Sequence, residues 1–239
     1  MNTELNLKNL NCYLDCHKKK VLSMANESGF PNENHGFVTL SRTAGAGGVT
    51  IGRKLAEILH SSKALQGTCP WTVFDRDLVK VVLDEHFLPE HLADYMPEAK
   101  ISEIKDIFEE ILELHPSQIT LNRQIRETIM RLAHMGHSII VGRGANMVTQ
   151  RIAGGLNVRL IAPLPKRLMH VQEYYHMDEN EAAEFIKKED QDRADYFKVN
   201  YDQDITNPLL YDLVINTDEL SYDCAAELIA TAVLKVQKS

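Results

Sequence analysis

The stretch Ser41-Arg42-Thr43-Ala44-Gly45-Ala46-Gly47-Gly48-Val49-Thr50 decides how this chain is read. It follows the apolar run Phe37-Val38-Thr39-Leu40 and leads into Ile51-Gly52-Arg53-Lys54-Leu55-Ala56, whose apolar spacing is helical. Strand, glycine-rich loop and helix in succession form the layout of a phosphate-binding loop. Against the pattern G-x-x-x-x-G-K-[ST], aligned on Gly47, Arg42 replaces the first glycine, Gly48 the lysine and Val49 the hydroxyl residue, with Thr50 one step on. The backbone chemistry survives. Gly45, Gly47 and Gly48 let successive N–H groups turn inward at a helix start, which makes an anion nest at the positive end of a helix dipole. The side-chain cation is lost, and Arg42, Arg53 and Lys54 are the candidates to restore it. The alternative is a plain tight turn.

Working outward, strand-like and helix-like segments alternate. Thr72-Val73-Phe74, Ser138-Ile139-Ile140-Val141, Val158-Arg159-Leu160-Ile161 and Leu213-Val214-Ile215 read as four further strands. Helical stripes are expected over Leu78 to Phe87, from Ile101 to Leu112, from Leu121 to Ala133 and from Ala225 to Val236. Asp178-x-x-Glu181 has the form of a capping box, with a charged helix running on to about Tyr196. Residues 1 to about 27 are loosely amphipathic, and the turn-rich Ser28 to Gly36 reads as a linker. Five β-branched strands separated by helices predict an α/β fold: a parallel five-stranded sheet with helices on both faces. The compact domain is expected at 36–239, after an N-terminal extension at 1–35.

In such sheets ligands bind where strands end. Beyond the glycine loop, that rule marks Asp75-Arg76-Asp77 after one strand and Gly142-Arg143-Gly144 after another. A carboxylate at Asp75 could orient an attacking hydroxyl or help hold Mg²⁺, whereas capping of the next helix is its structural alternative. Arg143 offers a planar fork for a phosphate. Lys187-Lys188-Glu189-Asp190-Gln191-Asp192-Arg193 is either a solvated helix face or a cation-bearing lid, with Lys188 and Arg193 the groups to watch.

The chain has 239 residues, 44% hydrophobic and 25% charged, with a formal net charge of -8. That balance suits a soluble globular protein and disfavours nucleic acid as a partner. No apolar run reaches membrane-spanning length, and the N-terminus has no signal core, so a cytoplasmic location is expected. Cys12, Cys16, Cys69 and Cys224 complete no zinc set and read as free thiols of a reducing compartment. The histidines are scattered, and neither H-E-x-x-H nor G-x-S-x-G occurs.

The pieces VTLSRTAGAGGVTIGRKLA, FDRDLV, SIIVGRGANMV, VRLIAPLPKRL, EAAEFIKKEDQDRADYF and YDLVINTDELS, in this order over about residues 36 to 237, resemble the cytidylate kinase-like family of P-loop kinases. The resemblance implies a P-loop NTPase-like core with an acceptor-side helical insert (78–135) and a lid (178–204). It implies ATP as phosphoryl donor, with Mg²⁺. Arg42, Thr43, Ala44, Gly45, Ala46, Gly47, Gly48, Val49 and Thr50 would hold the donor phosphates, with Thr50 on the metal. Asp75 and Arg76 would face a small phosphorylated acceptor, such as a nucleoside monophosphate, and Arg143 would bind its phosphate. Lys188, Asp190 and Arg193 would belong to the lid, Asp190 on the substrate side. Two departures stand out. Gly48 replaces the lysine, and Gly144 stands where true cytidylate kinases carry an aspartate that helps read the sugar. The readings open at this point are a kinase for CMP or a similar nucleotide, a kinase for a non-nucleotide acceptor, and a catalytically degenerate nucleotide-binding regulator. A homo-oligomer is compatible with all three.

Overall fold

The computed structural model describes residues 2–24, 36–62, 69–75 and 120–236. Five strands form one wholly parallel sheet: β1 (Phe37–Arg42), β2 (Thr72–Phe74), β3 (Ser138–Val141), β4 (Gly155–Ile161) and β5 (Leu213–Asn216), in the order β2-β3-β1-β4-β5. β1 is central, with Phe37 opposite Ser138 of β3 and Gly155 of β4. All carboxyl ends therefore lie along one edge, with those of β1 and β3 adjacent.

The helices at 48–61, 120–135 and 222–236 follow the expected apolar stripes. α1 (Asn2–Met24) precedes the sheet, α2 (Gly48–Ser61) follows the glycine loop, and α3 (Thr120–Met135) leads into β3. After β3 come a single turn, α4 (Ala145–Val148), then α5 (Leu164–Tyr175), α6 (Glu179–Tyr201) and α7 (Tyr222–Val236). The capping box forms as read: Glu181 N–H donates to Asp178 Oδ1 (2.9 Å) and Asp178 N–H to Glu181 Oε2 (3.0 Å).

Alternation along β3 sends its side chains to two separate cores, as a sheet covered on both faces requires. Ile139 joins Val38, Leu40, Ile51, Leu55 and Leu59 beneath α2 and α7. Ile140 joins Phe74, Ile129, Met130 and Leu132 on the opposite face. α1 belongs to this second core through Leu10, Tyr13 and Leu14. The buried Tyr13 ring meets Phe74 edge-on (5.3 Å between centroids), and its hydroxyl donates to Gly136 O (2.8 Å). The N-terminal helix thus packs on its own chain.

One expectation changes. Cys16 and Cys69 are joined in a disulfide rather than free, which ties α1 to the segment entering β2; the thiols of Cys12 and Cys224 are free. A pairing across 53 residues leaves no local signal in a sequence, because tertiary packing alone brings the two cysteines together. Of the expected insert at 78–135, residues 78–119 lie outside the described residues, as do Arg76, Asp77 and the two helical stripes from Leu78 to Leu112. Its last part is α3, which packs in the core. Among the described residues, no helix is long and apolar enough to cross a membrane.

Candidate active site

The edge formed by the strand ends carries two adjoining cavities that share Arg42, Glu189 and Arg193. The larger, about 420 Å³, is lined by the whole loop from Arg42 to Thr50 and also by Asp75. The smaller, about 220 Å³, lies over the ends of β1 and β3 and takes in Arg143. Most of the residues singled out in the sequence thus converge on one edge of the sheet.

The loop is shaped by its own backbone. Thr43 N–H donates to Leu160 O (3.0 Å), which anchors the loop to β4, and Ala46 N–H closes a turn on Thr43 O (3.2 Å). Gly47 takes a left-handed conformation (φ 82°), so α2 starts abruptly at Gly48 and its first-turn amides open on the cavity.

The missing lysine has a geometric counterpart. A Cβ placed on Gly48 would stand 3.1 Å from Arg42 Cγ and 3.2 Å from Cδ, so the arginine stem lies over the bare glycine. A Cβ on Gly142 would stand 2.2 Å from Arg42 Nη1. Arg42 therefore crosses from the glycine loop to the loop after β3 and sets its guanidinium between the two cavities. Among the described residues that guanidinium makes no hydrogen bond or ion pair. Desolvation, with Arg193 and Arg143 close by and only partial relief from Glu189, pulls it down to about 9. A guanidinium holds its proton, so the same field draws an anion to it instead.

Helix α6 lies against this arrangement. Arg193 donates to Arg42 O (3.4 Å) and to Glu189 Oε2 (2.7 Å) and lines both cavities. Asp190 is placed differently from its expected role on the acceptor. It accepts from Ala44 N–H (2.7 Å) in the glycine loop and from Arg167 Nη1 (2.5 Å), and Arg167 also donates to Ala44 O (3.2 Å). A carboxylate of α6 thus occupies a loop amide. Lys188 is exposed and lines neither cavity. Because Asp190 repels any anion entering the loop, Asp190→Asn is expected to tighten tripolyphosphate binding several-fold, read by titration calorimetry; unchanged or weaker binding would show that Asp190 does not compete with phosphate.

Behind Ser41 and Ile205, which line the smaller cavity, lies a hydrogen-bonded cluster. The buried Arg159 donates to Ser41 Oγ (3.0 Å), its guanidinium lies over the Tyr211 ring (5.5 Å), and the Tyr211 hydroxyl donates to Ile205 O (2.9 Å). Tyr196 forms a wall and donates to Arg143 O (3.5 Å). A Cβ on Gly144 would stand 2.6 Å from the Tyr201 ring, so no side chain fits there. Arg126 stacks on that ring at 5.1 Å and donates to Asn200 Oδ1 (3.2 Å).

Thr50 and Asp75 line the loop cavity together, a hydroxyl and a carboxylate. That pair fits Mg²⁺, which takes one or two protein oxygens and completes its shell with phosphate and water. Arg167, Glu189, Tyr196 and Tyr201 were not singled out as site residues in the sequence. Arg167 had a signal, because Pro163-Leu164-Pro165-Lys166-Arg167 follows the end of β4 just as the other candidates follow β1, β2 and β3. The remaining three lie on the charged helix, where sequence spacing does not show which face meets the loop.

Known proteins match this chain over different lengths. A protein from Eubacterium ventriosum of known crystal structure superposes with a TM-score of 0.55 at 17% identity, covering 83% of this chain and 98% of the other. Shikimate kinase from Bacteroides thetaiotaomicron aligns at 16% identity over 85% of this chain and 99% of its own, with a TM-score of 0.45. An uronate isomerase from Corynebacterium glutamicum is 32% identical over 91 residues, 38% of this chain, and the chain spans only 18% of that protein's length. The cytidylate kinase-like family profile matches residues 37–219, from the first residue of β1 to just beyond β5, and the chain belongs to the cytidylate kinase-like family.

Proposed function

We propose that the protein is an ATP-dependent phosphotransferase that moves the γ-phosphoryl group to a small phosphorylated acceptor, with a nucleoside monophosphate as the leading class. The observation that carries this reading is the Arg42 guanidinium, set without a hydrogen-bonding or ion-pairing partner among the described residues at the junction of a glycine-loop cavity and a second, arginine-rich cavity. Phosphoryl transfer asks for little covalent chemistry and much positioning and charge neutralisation. A cation at the boundary between donor and acceptor meets the transferring group itself.

In this reading the amides of Gly45, Gly47 and Gly48 hold the donor phosphates, and Arg42 takes over the charge that a lysine at position 48 would bring. Arg193, bridging both cavities, neutralises charge on the group in transit. Arg143 binds the acceptor phosphate, and Asp75 orients the acceptor. Mg²⁺, held through Thr50 and Asp75, would screen charge on the donor phosphates. Arg76 remains an acceptor-side candidate from the sequence. Asp190 and Arg167 release each other when phosphate enters the loop, which frees Arg167 for the donor. Lys188 would join the site only if the lid moves.

Gly144 puts the reading of CMP in question. Tyr201 fills the space where an aspartate after Gly142-Arg143 would stand, so an acceptor sugar has to be read by other groups, Tyr196 and Asn146 among them.

Denaturation midpoints measured with ATP·Mg²⁺ and then with each nucleoside monophosphate should show stabilisation by both, followed by ADP release with the stabilising acceptor. ATP binding with no turnover on any acceptor would sink the kinase reading and leave a nucleotide-binding regulator.

A further inference from the structure

Five aromatic rings form a ridge beside the glycine loop: Phe185, Tyr175, Tyr174, His170 and Tyr222. Successive centroids lie 5.1, 4.9, 5.9 and 5.4 Å apart. We propose that this ridge, centred on Tyr174 and Tyr175 of α5, is the base platform of the donor, on which the heterocycle of a nucleoside triphosphate stacks while its phosphates lie in the glycine loop. The inference rests on the phosphotransferase reading and adds what selects the donor.

The ridge and the loop share one cavity of about 420 Å³. Polar backbone and cations lie at the loop, and His170, Tyr174, Tyr175 and Phe185 supply an apolar wall. A site for inorganic phosphate alone has no need of such a wall, whereas a nucleotide needs both ends. Phe185 and Tyr222 pack against the cores, but the two central rings do not. Tyr174 and Tyr175 are 48% and 50% exposed, and Val171 is the buried residue of α5. They are nevertheless held in place. Tyr174 stands edge-on to Tyr175, and Phe185 from α6 supports Tyr175 from the other side. His170 stands edge-on to Tyr222, and the Tyr222 ring lies over Gly47, where an added Cβ would meet it at 2.6 Å. The platform is therefore fastened to the loop that holds the phosphates, so its distance from the nest is set by packing. Partial burial lowers the pKa of His170, which favours its neutral ring at pH 7.

Stacking reads a π-face and is tolerant of base identity. ATP and GTP are accordingly expected to bind within a few-fold of each other, and pyrimidine triphosphates more weakly. The test uses the full chain, titration calorimetry and two probes, ATP and inorganic tripolyphosphate, which shares the phosphates and lacks the base. Tyr174→Ala should weaken ATP about tenfold and leave tripolyphosphate unchanged. Tyr174→Leu, which keeps apolar bulk without the π-face, should fall between the two and guards against a folding defect in the alanine variant. Tyr175→Phe should retain ATP binding. Equal weakening of both probes by Tyr174→Ala, or no weakening of either, overturns the platform while leaving the loop reading intact. Failure of tripolyphosphate to bind the native chain overturns the loop reading, and the platform with it.

Discussion

Arg42→Ala is expected to cost ~10²–10³-fold in turnover with the acceptor that the native chain uses, the scale on which removal of one preorganised charge-stabilising donor acts. ATP affinity should fall as well, because the same side chain runs over the bare helix start at Gly48 and lines the loop cavity. The effect is large because partial burial beside Arg193 and Arg143 has weakened the hydration of Arg42, so an incoming phosphate meets a poorly solvated cation. Gly48→Lys in the native background should not help. Its side chain would leave the backbone 3.1 Å from Arg42 Cγ, in space the arginine stem fills. Placed on Arg42→Ala, the same substitution should recover part of the loss, since the stem is gone and a lysine can reach the loop. Turnover of the four variants forms a double-mutant cycle. Strongly coupled, compensating effects support one cation serving in place of the other. Additive losses would show that Arg42 acts elsewhere.

Tyr13→Ala is expected to destabilise the fold by about 3–5 kcal/mol, the usual cost of truncating a buried aromatic side chain. Tyr13 belongs to the N-terminal helix, outside the stretch matched by the family profile, yet its ring is fully buried against Phe74 and its hydroxyl reaches Gly136 O. Urea unfolding checks the size of the effect; a loss below about 1 kcal/mol would mean that α1 contributes little. Tyr13→Phe keeps the ring and strands one backbone carbonyl, so about 1 kcal/mol is expected.

The same residue predicts an alkaline limit to stability. Burial holds the Tyr13 phenol well above its ordinary value of 10, and Tyr201 is likewise raised, chiefly by burial. Each is neutral when folded and ionises more readily when unfolded. Their contribution is therefore complete below pH 10 and is lost as the pH rises above it. Unfolding free energy should fall with a slope approaching two protons per pH unit from these groups, and Tyr13→Phe should remove one of them.

Much of the fold is legible from local patterns. The expected β2 and β3 coincide with the observed strands, and β1, β4 and β5 differ only by extension at their ends, because β-branched runs bounded by turn residues mark strands buried on both faces. The Asp178 capping box is legible for the same reason: four consecutive residues contain the whole interaction. The strand-end rule also reached the site, because in a parallel sheet connectivity alone puts the ends of β1, β2 and β3 on one edge. What resisted was anything that depends on a second segment. The path of Arg42 toward Gly142, the seating of Asp190 on Ala44 N–H and the Cys16–Cys69 bridge join residues 100, 146 and 53 positions apart.

Position 48 shows where the division falls. Sequence alone established that a strand, a glycine loop and a helix follow one another, that the loop keeps its backbone amides and that its lysine is absent. These are properties of neighbouring residues, set by local backbone geometry. Which cation takes over was open among Arg42, Arg53 and Lys54. The fold places them differently. Lys54 pairs with Asp223 at 2.5 Å, Arg53 lines the loop cavity, and Arg42 lies over Gly48 itself. The placement of Arg42 rests on the direction of one side chain across two neighbouring strands, and packing of the sheet and α6 sets that direction.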